Sequence, residues 1–343
     1  MPSSPIKETP AALDDVRAIA ARLSGERIVS VVHCGGGGNN RVYRVQTSRT
    51  TFALKSYGAV ELDRDRLAHE FDGLRFLKAS GAGAALPEPI AVDRTSRFAL
   101  YEWIEGTLPA RHGAADVAAV LQLLGALHRA RNAKGASDLA PATEAVSRLS
   151  DLLEQIERRL VRLATLAPSE PALSEFIAKE LEPEFRRRVA GFSERDAGVP
   201  LSREQQTLSP SDFGFHNALR RADGSITFID FEYFGWDDPV KLTADFLWHP
   251  AMQLSKPERL QFLDGVARLY GGDPSFSPRL ASRFPLYGIR WSLIILNEYL
   301  PKLWDRRTFS GKGGDWAAAK REQLRKARLK LAAVRSYKEG SYT

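Results

Sequence analysis

The chain has 343 residues, 43% of them apolar and 27% charged, which is ordinary for a globular protein and long enough for two lobes. A single cysteine, Cys34, excludes a disulfide framework within the chain, and the longest apolar run, WSLIILNEYL, is too short and too polar for a membrane span, so a cytoplasmic protein is expected. The formal charge of +7 suits a phosphate-bearing ligand, but no helix-turn-helix, zinc-ligand or RNP-like pattern accompanies it, and no nucleic-acid partner is expected.

Residues 1–26 read as a lead segment followed by a short helix without an apolar signal core. From 27 to 105 the pattern is strand-rich: RIVSVVHC, NRVYRVQT and TFALKSY come first, then a helix carrying Leu67, Phe71, Leu74 and Leu77, then two strands in IAVD and RFALYEWI. After about Gly106 the period becomes helical through DVAAVLQLLGALHRA, where Asp116 is a candidate cap, and through AVSRLSDLLEQIERRLVRLA and PALSEFIAKELEPEFRRRVAGF. Two short strands around Ala222, Asp223 and Gly224 interrupt it before helices resume beyond Pro239. In the C-terminal stretch Leu324, Leu329, Leu331 and Val334 suggest an amphipathic helix with a basic outer face. The expected fold is α+β and bilobal, a small β-rich lobe over 27–105 followed by a larger helical lobe over 106–343.

Three features of the small lobe carry chemistry. Gly35, Gly36, Gly37 and Gly38, followed by Asn39, lie between two strands, where amides unobstructed by Cβ atoms can fold over phosphates. Lys55, on the third strand, can reach phosphates beneath such a hairpin. Glu70 lies between Leu67 and Leu74 on its helix and so faces inward, where Lys55 is its natural partner.

The stretch SPSDFGFHNALRRADGSITFIDFEY offers two aspartates before phenylalanine, Asp212 and Asp230. Phosphoryl transfer of the kinase type needs one carboxylate to accept the hydroxyl proton, with an asparagine five positions later that helps a second aspartate hold Mg²⁺. Counting five from Asp212 gives Asn217, whereas five from Asp230 gives Gly235. Asp212 is therefore the expected base, Asn217 and Asp230 are the expected metal ligands, and the literal D-F-G at 212–214 is a decoy.

In order along the chain, GGGGNNRVYRV, FALKSY, HEFDGLRFLKASG, LPEPIAVD, LYEWIEG, LLGALH, SDFGFHN and IDFEYFGWDDP resemble the aminoglycoside phosphotransferase and choline kinase superfamily, which shares the protein-kinase-like fold. The resemblance implies ATP, or GTP, bound in the interlobe cleft with Mg²⁺, the base and metal roles just named, and a hinge at Glu102 and Ile104 whose backbone meets the nucleotide base. It also implies a small-molecule acceptor beside the catalytic loop. Glu232, Asp237, Trp248, Tyr287, Arg290, Trp291 and Glu298 are the candidate wall residues. A sugar or amino-alcohol is the expected acceptor. Arg290 and the basic charge speak against an aminoglycoside, and the lack of an A-P-E segment speaks against a protein. The chain departs from the family pattern in two places. Pro210 and Ser211 stand where a histidine and glycine usually precede the base, and Lys241 stands where an aspartate often follows D-P. The helix after the metal loop is therefore expected to be anchored differently, and Pro210 is the feature that would favour a nucleotide-binding pseudokinase or scaffold.

Overall fold

The structure is a computed structural model that describes residues 10–34, 40–58, 60, 65–307 and 314–338. Helix α1 (Pro10–Ser24) precedes strands β1 (Ile28–His33), β2 (Asn40–Thr47) and β3 (Thr51–Tyr57); helix α2 (Arg66–Ala79) then leads to β4 (Pro89–Asp93) and β5 (Phe98–Glu102). These strands form one antiparallel sheet in the order β1-β2-β3-β5-β4, with Lys55 of β3 opposite Val42 of β2 and Ala99 of β5. Alternation along β3 splits its side chains between two cores. Leu54 joins Tyr43, Val45 and Leu100 against Val16 and Ala20 of α1. Ala53 and Tyr57 face the other way, toward Leu67, Phe71 and Leu74 of α2 and the core of the large lobe.

The large lobe comprises α3 (Ala114–Ala130), α4 (Leu149–Ala164), α5 (Pro171–Phe176), α6 (Glu182–Val189), α7 (Glu194–Gly198), β6 (Thr207–Ser209), β7 (Ala218–Arg220), β8 (Ile226–Phe228), β9 (Gly235–Asp237), α8 (Pro239–Trp248), α9 (Lys256–Tyr270), α10 (Phe276–Ile295), α11 (Pro301–Arg307) and α12 (Trp316–Ser336). Helix α8 is buried along its whole length, with α10 packed on it and α12 on α10. Its start is fixed three ways: Pro239 takes the first turn, Asp238 accepts from Val240 N at 2.9 Å, and Arg279 neutralises Asp238 at 2.8 Å. Among the described residues no helix is long and apolar enough to cross a membrane.

Four local expectations are revised. Asp116 is not the cap of α3. Gly113 holds that position, and Asp116 reaches back to accept from its N–H at 2.8 Å, as the third residue of a capping box does. Leu329 is 59% exposed, because the buried stripe of α12 runs through Leu324, Ala327, Leu331 and Val334 and leaves position 329 on the opposite side. The single helix expected over 171–192 is interrupted by a π-helical turn, Ile177–Leu181, just before Pro183, whose missing N–H cannot continue the α pattern. The fourth is a strand pair that had not been expected, β6 with β9, beside the anticipated hairpin of β7 and β8.

Candidate active site

Lys55 is the centre of the small-lobe contribution. Its Nζ lies 2.7 and 2.8 Å from the two carboxylate oxygens of Glu70 and 2.8 Å from Asp230 Oδ1. Burial alone would strip Lys55 of its proton, but the charges of Asp230 and Glu70 outweigh it and raise its pKa, so the ammonium is retained. Glu70 is 3% exposed, and burial pushes its pKa up against the pull of Lys55. Tyr57 OH donates to its Oε2 at 2.7 Å and Phe231 N to its Oε1 at 3.3 Å, so α2 is tied to both β3 and the segment after Asp230. The residues Gly35, Gly36, Gly37, Gly38 and Asn39 lie outside the described residues. Glu102 ends β5, and Ile104, two residues on, is buried. The linker then pairs with the segment of β7, Thr107 N donating to Arg220 O at 3.1 Å and Arg220 N to Thr107 O at 2.8 Å. Gly106 permits this approach, since a Cβ there would stand 2.7 Å from Arg220 O.

Asn217 and Asp230 flank the hairpin of β7 and β8, and Asp212 lies in the loop that leads into it. Asn217 Nδ2 donates to Asp212 O at 3.0 Å, and Ile229 N donates to Asn217 O at 2.9 Å, which sets the residue before Asp230 beside Asn217. Asp230 has φ of 68°, a left-handed conformation that aspartate accepts more readily than most residues. Around Asp212 stand two histidines. His216 Nε2 is 3.0 Å from Asp212 Oδ1, and His249 Nε2 is 4.0 Å from the same oxygen. Partial burial opposes the charge on Asp212, yet the His216 hydrogen bond, together with His216, His249 and Lys241 nearby, outweighs it and holds its pKa below the ordinary carboxylate value.

The two departures from the family pattern meet in space. Lys241 Nζ donates to Ser211 Oγ at 3.2 Å, and Ser211 Oγ lies 3.2 Å from Thr143 O. Ser211 has φ of 66°, a conformation for which glycine is better suited, so these contacts hold it there. Lys241 is 1% exposed and sits between Asp237 at 3.0 Å and Asp245 at 3.2 Å. Asp245 also pairs with Arg290 at 3.1 Å and accepts from Trp291 Nε1 at 2.8 Å, and Arg290 continues to Gln155 at 2.9 Å and Glu144 at 2.8 Å.

Burial would raise the Glu144 carboxyl, but Arg290 and Arg159 outweigh it and hold the pKa at about 2. A depressed carboxylate contributes stability above its unfolded value and loses it as pH falls through the folded one. Glu144→Gln is therefore expected to be less stable than the parent at pH 7 by about 3 kcal/mol. In urea unfolding series, that gap should close as pH falls from the ordinary 4.5 toward about 2. A gap constant across this range would contradict the linkage.

This network also relocates several expected acceptor residues. Asp237, Trp248, Tyr287 and Arg290 are all 5% exposed or less: Asp237 holds Lys241, Trp248 donates to Phe284 O, Arg290 ties α10 to α8 and α4, and Tyr287 lies in the core. Their side chains serve the interior and offer no surface to a ligand. Glu232 is buried as well and accepts from Asn40 of β2, so it faces the small lobe. Trp291 and Glu298 remain partly exposed, Trp291 edge-on to His249 with ring centroids 4.7 Å apart. Sequence reading missed His216 and His249. The position of His216 four residues after Asp212, one helical turn, is the signal that could have found it.

Comparison with known proteins bears on the family and the fold. The family model described as the phosphotransferase enzyme family matches residues 30–280. Choline kinase LicA from Streptococcus pneumoniae is 18% identical with a TM-score of 0.58, the match covering 94% of this chain and 99% of that one. Spectinomycin phosphotransferase APH(9)-Ia, solved with ADP and spectinomycin, is 12% identical with a TM-score of 0.61 over 97% of this chain and 100% of the other. Choline kinase from Cryptosporidium parvum Iowa II is 14% identical with a TM-score of 0.59 over 94% and 96%. No curated protein matches significantly. The sheet-and-helix bilobal fold and the extended family match together establish that this chain belongs to the phosphotransferase enzyme family.

Proposed function

We propose that the chain transfers the terminal phosphoryl group of ATP, or of GTP, to a hydroxyl of a small sugar or amino-alcohol. Asp212 is the base, Asn217 and Asp230 hold Mg²⁺, and Lys55 contacts the nucleotide phosphates. The observation that carries this reading is Lys55 bridging Glu70 and Asp230 at 2.7 and 2.8 Å while Asn217 and Asp230 flank the β7–β8 hairpin and Asn217 bonds to the main chain of Asp212. The donor set fits Mg²⁺, which prefers oxygen. Asn217 commits its Nδ2 to Asp212 O and so keeps Oδ1 as an acceptor; Asp230 commits Oδ1 to Lys55 and keeps Oδ2. When bound, the ion would neutralise charge on the phosphates.

Asp212, ionised above its lowered pKa, orients the acceptor hydroxyl and takes its proton. The hydroxyl oxygen bonds to the γ-phosphorus, the bond to the β,γ-bridging oxygen breaks, and the nucleoside diphosphate leaves with that electron pair. Lys55 stabilises charge on the phosphates during transfer, and its hold on Glu70 keeps it aimed at them. For the acceptor, a sugar or amino-alcohol is favoured over a polycationic aminoglycoside. Near the catalytic loop Asp237, Asp245 and Glu144 are neutralised by Lys241, Arg290 and Arg159, while Trp291 and His249 supply a flat apolar edge.

The test is ADP release from Mg-ATP across a panel of sugars, amino-alcohols and aminoglycosides. Stimulation by a sugar or amino-alcohol is expected. A rise in Tm with Mg-ATP but no acceptor-stimulated release across the panel would leave a nucleotide binder without turnover and overturn the reading.

A further inference from the structure

We infer that His216 and His249 act as a pair of positioning residues for Asp212, His216 donating its imidazole Nε2–H to Asp212 Oδ1 and His249 backing the His216 ring and turning its own Nε2–H toward the same oxygen from 4.0 Å, so that Oδ2 is left to meet the acceptor hydroxyl. This rests on the phosphotransferase reading of the site. His216 Nε2 stands 3.0 Å from Oδ1 and His249 Nε2 4.0 Å from it, so the two rings converge on one oxygen of the carboxylate. They stack with centroids 3.9 Å apart and planes 4° from parallel.

The tautomer of His249 follows from its other nitrogen. Ala251 N donates to His249 Nδ1 at 3.1 Å, so Nδ1 is the acceptor and the ring proton of the neutral imidazole is on Nε2, facing Asp212. Trp291 packs edge-on against the same ring and fixes its plane. His216 is held from the other side by close packing. A Cβ at residue 214 would stand 3.0 Å from His216 Nδ1 and 2.7 Å from Met252 Sδ, so only glycine leaves room for the ring. Among the described residues His216 Nδ1 is buried and has no hydrogen-bond partner, which makes the bond to Asp212 the polar contact that orients this ring.

Two imidazoles and a carboxylate also have the composition of a metal set. The geometry argues for hydrogen bonding instead. Imidazole lone pairs lie in the ring planes, and no ion can lie in the planes of both of two parallel rings stacked with centroids 3.9 Å apart. The Nε2 of His249 is moreover occupied by its proton.

The physical consequence is orientation. Asp212 has 43% of its side chain exposed, so the surrounding core does not fix its carboxylate plane. Asn217 secures the main-chain carbonyl of the same residue, and His216, stacked on His249, secures the side chain. Misdirecting a reacting group by about 1 Å can lower a rate roughly 100-fold.

Phosphoryl transfer from Mg-ATP to water, read as ADP release, needs no identified acceptor and tests this directly. His216→Leu, which keeps bulk and loses the donor, should lower kcat roughly 10- to 100-fold with KM for ATP unchanged. His216→Gln, whose amide N–H reaches the same oxygen, should recover most of that loss, and His249→Phe, which keeps the stack, should lose less than His216→Leu. Wild-type kcat in His216→Leu, or no recovery in His216→Gln, would overturn the inference. So would a loss that appears in KM instead of kcat. A long-range ¹H–¹⁵N correlation spectrum of [¹⁵N]histidine-labelled protein supplies a readout independent of turnover. His249 should be the Nε2–H tautomer, and the His216 Nε2 signal should move in Asp212→Asn. An Nδ1–H tautomer at His249, or stoichiometric Zn²⁺ shifting both histidines together, would overturn the assignment. A parent protein that releases no ADP would count against the phosphotransferase reading, while the tautomer spectra would still decide what holds Asp212.

Discussion

Replacing Asp212 with asparagine is expected to slow phosphoryl transfer by roughly 10²- to 10⁴-fold while leaving the affinity for Mg-nucleotide unchanged. The substitution keeps an oxygen that His216 Nε2 can still approach, 3.0 Å away in the parent, and leaves the Asn217 bond to the main-chain carbonyl intact. What it removes is the capacity to accept a proton. Steady-state ADP release gives the rate, and calorimetric titration with a non-hydrolysable Mg-nucleotide gives the affinity. A variant that retained parental turnover would remove Asp212 from the chemistry, and one that lost nucleotide binding would make it a ligand of the metal instead.

Asp230→Asn should fail differently. Here the neutral amide weakens metal binding and also withdraws one of the two carboxylates that hold Lys55, the one at 2.8 Å. Turnover is expected to drop roughly 10²- to 10³-fold. The distinguishing result is that nucleotide affinity should become nearly the same with Mg²⁺ as with EDTA, whereas in the parent the metal should tighten it. Asparagine is the informative replacement because residue 230 has φ of 68°, which asparagine adopts readily and alanine does not. Loss of activity in Asp230→Asn is thus attributable to charge, not to a refolded turn. An Asp230→Asn protein that kept its Mg²⁺ dependence would refute the assignment.

The parts of the molecule that were legible in the sequence are those set by short-range pattern. Strands β2 and β3 match the segments NRVYRVQT and TFALKSY, because alternation between turn residues leaves few other readings. The pairing of Lys55 with Glu70 followed from an acid placed among leucines, and the proximity of Asn217 to Asp212 from one spacing. Residues whose partners lie far along the chain were harder. Asp237, Tyr287 and Arg290 looked like wall residues of an acceptor pocket because a charge or ring at helical spacing does not say whether its helix side is inner or outer. Helix α8 is buried all round, so its charged residues are interior and must neutralise one another. The ladder Asp237, Lys241, Asp245, each four residues from the next, was the available clue. His249 had none: only the packing of α8 against the catalytic loop brings it to Asp212.

That ladder has a bearing on how such a protein could be controlled. Ser211 is fastened to Lys241, and Lys241 to a helix with no face toward solvent, so the loop beside Asp212 is tied to the interior. Slow exchange of its amides, on the timescale of global opening, is the corollary. Control by ordering of this particular loop is therefore not expected, and protection of its amides should be the same with and without Mg-nucleotide.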